Sequence, residues 1–173
     1  MRLGTLIAAL LFATACQSGP PLPPVAGPAT SSQPVSFQVP RHDGSGTWDP
    51  AQDRGSVVLL DVWATWCEPC RDALPLWQDL AKEYEARGLK VYALSLDEDP
   101  AQVAKFIADT KLTLPVLMDE NGTVSERVLK VKMMPTSFLI DRKGIIRHVN
   151  EGFAEEHLAK YQAQIEQLLS EKK

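Results

Sequence analysis

Apolar and polar residues follow three different patterns along this chain. Leu3 to Ala13 is a short, mostly apolar run behind Met1-Arg2. Residues 17–40 show no element-like periodicity and carry Pro20, Pro21, Pro23, Pro24, Pro28, Pro34 and Pro40 among Gly, Ala, Ser and Thr. From about residue 41 the pattern becomes that of a folded domain. Val57-Val58-Leu59-Leu60-Asp61-Val62-Trp63 is an apolar, β-branched run of the kind that makes a buried strand. Residues 69–87 have helical spacing, with Leu74, Trp77, Leu80 and Tyr84 on one face and Gly88 as a stop. Leu89 to Leu96 reads as a second buried strand. Asp99-Pro100 opens another helix, with Val103, Phe106 and Ile107 inward and Pro100 in the first turn, where a missing N–H matters little. Val116 to Met118 is a brief extended piece and Asn121 to Leu129 a short helix. Thr136 to Ile140 and Ile145 to Val149 form a hairpin across Asp141-Arg142-Lys143-Gly144. Ala154 to Leu169 is an amphipathic helix with Leu158, Tyr161, Ile165 and Leu168 on one stripe. This order predicts an α/β fold with a central mixed sheet flanked by helices.

The outer regions read as address and tether. A positive start, a short apolar run and small residues Ala13-Thr14-Ala15 have the layout of a secretory signal over residues 1–15, too short to span a bilayer. Ala-Thr-Ala-Cys resembles a bacterial lipobox, which would make Cys16 the lipidated N-terminus of an extracytoplasmic, membrane-anchored lipoprotein. The alternative is an ordinary signal cleaved after Ala15, leaving Cys16 as an odd thiol. Residues 16–40 are then a proline-rich tether, either a semi-rigid spacer or a disordered leader. Residues 41–173 are the single domain that a 173-residue chain can build around one core. A net charge of −4 gives no footprint for nucleic acid. A monomer is expected.

The chemistry lies at Trp66-Cys67-Glu68-Pro69-Cys70, where the first buried strand hands over to a helix. Half a zinc site is one reading of a C-x-x-C pair. It needs a second pair of ligands, and His42, His148 and His157 are scattered without ligand spacing. No metal is expected. A structural staple is another reading, but so small a loop constrains the unfolded chain little. A redox pair fits better. Cys67, at the positive end of the helix dipole, has its thiolate favoured and is the nucleophile; Cys70, one turn further in, resolves the mixed disulfide. Pro69 fixes φ early in the helix. Glu68 adds a negative charge that opposes thiolate formation, so both residues tune the redox poise.

Residues 63–70 (Trp-Ala-Thr-Trp-Cys-Glu-Pro-Cys), Met134-Pro135-Thr136 followed by Phe138-Leu139-Ile140-Asp141, and the extra helix after Ser95-Leu96-Asp97 together resemble the thioredoxin-like extracytoplasmic reductases of the TlpA/ResA type. The resemblance implies a thioredoxin fold with a helix/strand insertion before the strand that follows a cis-proline. It implies that Pro135 is that cis-proline, and that Met134, Pro135 and Thr136, with Trp66, line a groove for an extended peptide. Trp63 is assigned to the core. The activity implied is protein-disulfide reduction through the Cys67–Cys70 dithiol, with no bound cofactor. Substrates would be exported proteins with oxidised cysteines, apocytochrome c before haem attachment among them, and a transmembrane donor of the DsbD or CcdA kind would restore the dithiol.

Asp61 interrupts a buried run six residues before Cys67, the position at which thioredoxin carries a buried carboxylate. Desolvated there, it would have a raised pKa and accept the proton of Cys70. The other reading is a strand-end acid wetted by solvent; apolar neighbours on both sides favour the first. The chain departs from the ResA kind at Ala73, three residues after the second cysteine, where those proteins have glutamate. Two rival functions stay open. One is an oxidase or isomerase of exported proteins, since direction follows redox potential. The other is a tethered peptide-binding module with incidental cysteines. A peroxidase is disfavoured by the absence of a Pro-x-x-x-Thr-x-x-Cys motif.

Overall fold

The structure is a computed structural model, and it describes residues 30–171. The expected signal peptide, Cys16 and the tether up to residue 29 lie outside the described residues.

The seven residues of β3 (Val57–Trp63) are all buried, as befits the middle strand of a sheet covered on both faces. β3 pairs in parallel with β4 (Leu89–Ser95), and β4 in parallel with β5 (Val116–Met118). On its other side β3 runs antiparallel to β6 (Thr136–Ile140), and β6 antiparallel to β7 (Ile146–Glu151). The five strands therefore lie in the order β5-β4-β3-β6-β7, the mixed sheet of the thioredoxin fold. The parallel pairs require long crossovers, which α1 (Glu68–Tyr84) and α2 (Pro100–Thr110) provide. The antiparallel pair β6–β7 needs only the Asp141–Gly144 turn, where Gly144 N–H donates to Asp141 O at 2.8 Å and Gly144 holds φ +77.

Alternation along β3 divides the core. Val57, Leu59 and Trp63 join a cluster with Leu74, Trp77 and Leu80 of α1, Val103 of α2, and Tyr161, Ile165 and Leu168 of α3 (Leu158–Ser170). Val58, Leu60 and Val62 face the opposite side and pack with Phe138, Ile140, Leu117 and Tyr92. Each predicted apolar face of α1 and α3 is thus the buried one. α1 begins at Glu68, one residue earlier than the spacing predicts, and its last turn tightens to a 3-10 turn, Glu85–Arg87, before Gly88 at φ +94. The short helix expected at 121–129 is a π-helix, Thr123–Val128, whose first N–H groups are held by the Asp119 carboxylate.

The domain reaches further toward the N-terminus than residue 41. Residues 31–40, assigned to the tether from their prolines, are folded onto the sheet. Ser31 N–H donates to Ile146 O and Val35 N–H to Gly144 O, while Val35, Phe37 and Val39 are buried. Val39–Pro40 forms β1, antiparallel to β2 (Thr47–Trp48). The fully buried Trp48 packs on Phe37 and Tyr92, with ring centroids 5.8 and 4.6 Å away. The physical reason is the period-two apolar pattern of Val35, Phe37 and Val39, which gives this stretch one buried face despite Pro34 and Pro40. Arg41 then bridges Leu117, covering the β5 edge.

Candidate active site

The loop from Ala64 to Cys67 leaves the C-terminal end of β3 and turns directly into α1. Cys67 is the N-cap of that helix, in extended conformation, with its N–H donating to Ala64 O at 3.1 Å and its carbonyl accepting from Arg71 N–H at 3.2 Å. The helix that follows is 17 residues long, so Cys67 as its N-cap lies at the positive end of the helix dipole. Cys67 and Cys70 are joined as a disulfide with their Cα atoms 5.3 Å apart. Cys67 is 7% exposed and Cys70 0%. Glu68 and Pro69, between them, are both exposed on the first turn.

Asp61 sits within the apolar interior. At 1% exposure it projects from β3 on the same side as Leu59 and Trp63, toward the cluster that holds Cys70, Trp77 and Tyr161. Burial pushes its carboxyl well above the usual carboxylate range, and the Trp77 indole is the one group that draws it back. The indole stays outside hydrogen-bonding geometry: both Asp61 oxygens and Trp77 Nε1 are buried with no hydrogen-bond partner among the described residues. Tyr161 also feels this group. Its phenol is raised first by burial and then by the Asp61 charge, and its hydroxyl donates to Gly152 O at 3.1 Å. Asp61 is therefore not a solvent-wetted strand end.

The Met134–Pro135 bond is cis. β3 and β6 pair Val62 with Thr136, and extending that register by one residue puts Pro135 opposite Trp63, at the end of the sheet from which the Cys67 loop departs. Met134 packs against the cluster that contains both cysteines. Trp66 is 67% exposed, whereas Trp63 is fully buried against Phe106. Thr136 differs from its expected place in the groove. Its side chain is fully buried and its hydroxyl donates to Met133 O at 2.7 Å, so it braces the loop from inside rather than facing a peptide.

Asp97 escaped the sequence reading. It is 2% exposed just beyond β4, and its carboxylate accepts from Thr65 N–H at 2.9 Å, Thr65 Oγ1 at 2.6 Å and Ser95 Oγ at 2.8 Å. The signal was present as a Ser-x-Asp alternation at the end of a buried strand, with Ser95 and Asp97 on one side. Among the described residues no group of histidines, cysteines and carboxylates is arranged to hold a metal ion.

Comparison with known proteins agrees with this geometry. The chain is 41% identical over 98 residues to the thiol-disulfide oxidoreductase ResA of Oceanobacillus iheyensis, covering 57% of this chain and 50% of that protein. It is 38% identical over 112 residues to the thioredoxin-like protein YneN of Bacillus subtilis, covering 62% and 64%. The matches thus span between half and just under two thirds of these relatives' lengths. Among solved structures, one described as a thiol:disulfide interchange protein DsbE from Chlorobium tepidum superposes with a TM-score of 0.76 at 34% identity, over 83% of this chain and all of that one. The exposed lipoprotein thioredoxin Etrx1 of Streptococcus pneumoniae superposes with a TM-score of 0.68 at 25% identity, over 78% of this chain and all of that one. The buried Cys67–Cys70 pair at a helix N-cap is the arrangement that thiol-disulfide exchange uses, in agreement with the names of these relatives. The family profile of AhpC/TSA matches residues 31–149, and the chain belongs to that family as a TlpA/ResA-like protein of thioredoxin fold.

Proposed function

We propose that this chain reduces disulfides in exported proteins, outside the cytoplasm, from a membrane anchor at lipidated Cys16. The observation that carries the reading is the asymmetry of the Cys67–Cys70 pair, in which Cys67 caps the helix and keeps a little exposure, 7%, while Cys70 inside the first turn keeps none. In the reduced protein the Cys67 thiolate attacks one sulfur of a substrate disulfide. A Cys67–substrate disulfide forms and the other substrate sulfur leaves as a thiolate. Cys70 then attacks Cys67 Sγ, its proton passing to Asp61, and the second substrate thiolate departs. The substrate gains two electrons and the Cys67–Cys70 disulfide is formed. A transmembrane dithiol donor of the DsbD or CcdA kind returns two electrons by the same exchange run on the Cys67–Cys70 bond. Apocytochrome c is a fitting substrate, since its haem-binding cysteines must be thiols before attachment.

Asp61 takes in this chain the place in proton transfer that glutamate holds in ResA-kind proteins at the position of Ala73. Met134 and Pro135 offer the peptide-facing edge, Trp66 the exposed wall, and Glu68 and Pro69 set the potential. Equilibrating the purified domain with glutathione at fixed ratios and measuring the disulfide fraction tests the direction. A reductase lies near or below about −250 mV, whereas a value near about −120 mV would make it an oxidase and overturn the reading. The mass of the mature N-terminus tests the anchor: a diacylglycerol adduct on Cys16 is expected, and an unmodified thiol removes it.

A further inference from the structure

The geometry points to Asp97 as a positioning residue for thiol-disulfide exchange at Cys67, acting through Thr65. The inference rests on exchange chemistry at Cys67 and is independent of its direction.

The Ala64–Cys67 loop is short and joins a rigid strand to the helix whose N-terminus activates the sulfur. Two of its anchors are backbone bonds: Cys67 N–H to Ala64 O at 3.1 Å, and Leu96 N–H to Trp63 O at 2.9 Å. The third is Asp97. One of its oxygens takes the Thr65 hydroxyl at 2.6 Å and the other the Thr65 N–H at 2.9 Å, so main chain and side chain of one loop residue are gripped by one carboxylate. Charge-assisted bonds of this kind, sheltered from water, are stronger and more directional than neutral ones.

Asp97 is itself fixed. Ser95 Oγ donates to it at 2.8 Å and accepts from its backbone N–H at 3.0 Å. Ser95 O in turn accepts from Asp119 N–H at 2.8 Å, which ties the assembly to the end of β5 and to the π-helix cap. The alternation that turns Ser95 and Asp97 inward leaves Leu96 half-buried and Glu98 exposed, and these two share the wall of one open groove with Trp66. A single buried carboxylate thus sets the loop that presents Cys67 and the spacing between Trp66 and the β4 end of that groove. The two Asp97 oxygens accept from the hydroxyl and N–H donors that hold the loop.

The test separates geometry from charge. Asp97→Asn keeps one acceptor oxygen and replaces the other with NH2, which removes the charge and weakens the two-point grip on Thr65. Thr65→Val keeps the Asp97 charge and the side-chain shape but removes the 2.6 Å bond, and Thr65→Ser restores it. In the reduced full chain, the rate of Cys67 alkylation is measured against pH, together with kcat and KM for a disulfide-containing peptide. Asp97→Asn is expected to lower kcat/KM by about ten- to a hundredfold, with Thr65→Val moving the Cys67 pH profile in the same direction by a smaller amount and Thr65→Ser matching the parent. Far-UV circular dichroism and a cooperative melt keep folding in view. Variants that fold and leave both the profile and kcat/KM unchanged overturn the inference. So does a Cys67 profile that shifts in opposite directions in Asp97→Asn and Thr65→Val, because that outcome assigns the effect to charge alone. Absence of pH-dependent Cys67 reactivity in the parent chain defeats the exchange reading instead, and is seen before any variant is made.

Discussion

Cys67 keeps a small solvent-facing surface while Cys70, one turn along the same helix, keeps none. An incoming disulfide can therefore be attacked by only one of the two sulfurs, and the other is reserved for release. Cys70→Ser should accumulate stable mixed disulfides on Cys67, visible as partners released by reductant in non-reducing electrophoresis and mass spectrometry. Cys67→Ser should trap nothing and lose turnover to background. Equal trapping by the two variants would remove the assigned order of attack.

Asp61 and Trp77 make a second prediction. Because burial raises the Asp61 pKa in the folded protein, the folded chain holds that proton over a pH range in which the unfolded chain, with a carboxyl near ~3.9, has released it. The folded state binds more protons, so this group makes stability fall as pH rises from the unfolded value through the raised folded one. Asp61→Asn does not titrate. Its stability relative to the parent should rise with pH across that window and level off toward the unfolded pKa, as read by denaturant melts from pH 4 to 8. The same variant should slow the Cys70 step by about a hundredfold, the usual scale for loss of a proton acceptor. A difference between the two chains that does not vary with pH would place the carboxyl in water.

The N-terminal segment gives a third. Val35, Phe37 and Val39 each bury a side chain worth roughly 1.5–3 kcal/mol of apolar transfer. Phe37 packs on Trp48, and Val39 pairs with it across the β1–β2 strands. A chain that starts at residue 41 should be less stable than one that starts at residue 30 by several kcal/mol and show a more exposed tryptophan emission. Equal denaturation midpoints would return residues 31–40 to the tether.

Arg142, in the turn between β6 and β7, donates to Leu168 O at 2.7 Å and to Leu169 O and Glu171 O at 3.0 Å, closing the C-terminal end of α3. Arg142→Ala should cost about 2 kcal/mol, or about 4–8 °C in Tm, with Cys67 reactivity unchanged. A Tm within about 1 °C of the parent would show that those carbonyls are as well served by water.

The redox pair, the central strand, the two main helices and the β6–β7 hairpin were legible in the sequence because each is a local signal. Cys67 and Cys70 are one helical turn apart, and Leu74, Trp77, Leu80 and Tyr84 repeat at helical spacing. Other features depend on residues far apart in the chain. Proline content concealed the strand-like alternation of Val35, Phe37 and Val39, whose buried face exists only because the sheet is there to receive it. Thr136 was placed in the groove by its position after Pro135, but pairing with Val62 and Glu151 turned it inward. The grip of Asp97 on Thr65 spans 32 residues and forms only when β4 lies beside β3.

Sequence by itself determined which atoms can react: two thiols at the right spacing, a helix to polarise one of them, and an acid in an apolar run. Tertiary structure decided their surroundings, namely how dry Asp61 is, which sulfur meets solvent, and what holds the loop between them. The physical reason is that covalent spacing is written along the chain, whereas desolvation and hydrogen-bond partnership arise when strands distant in the sequence close over one another.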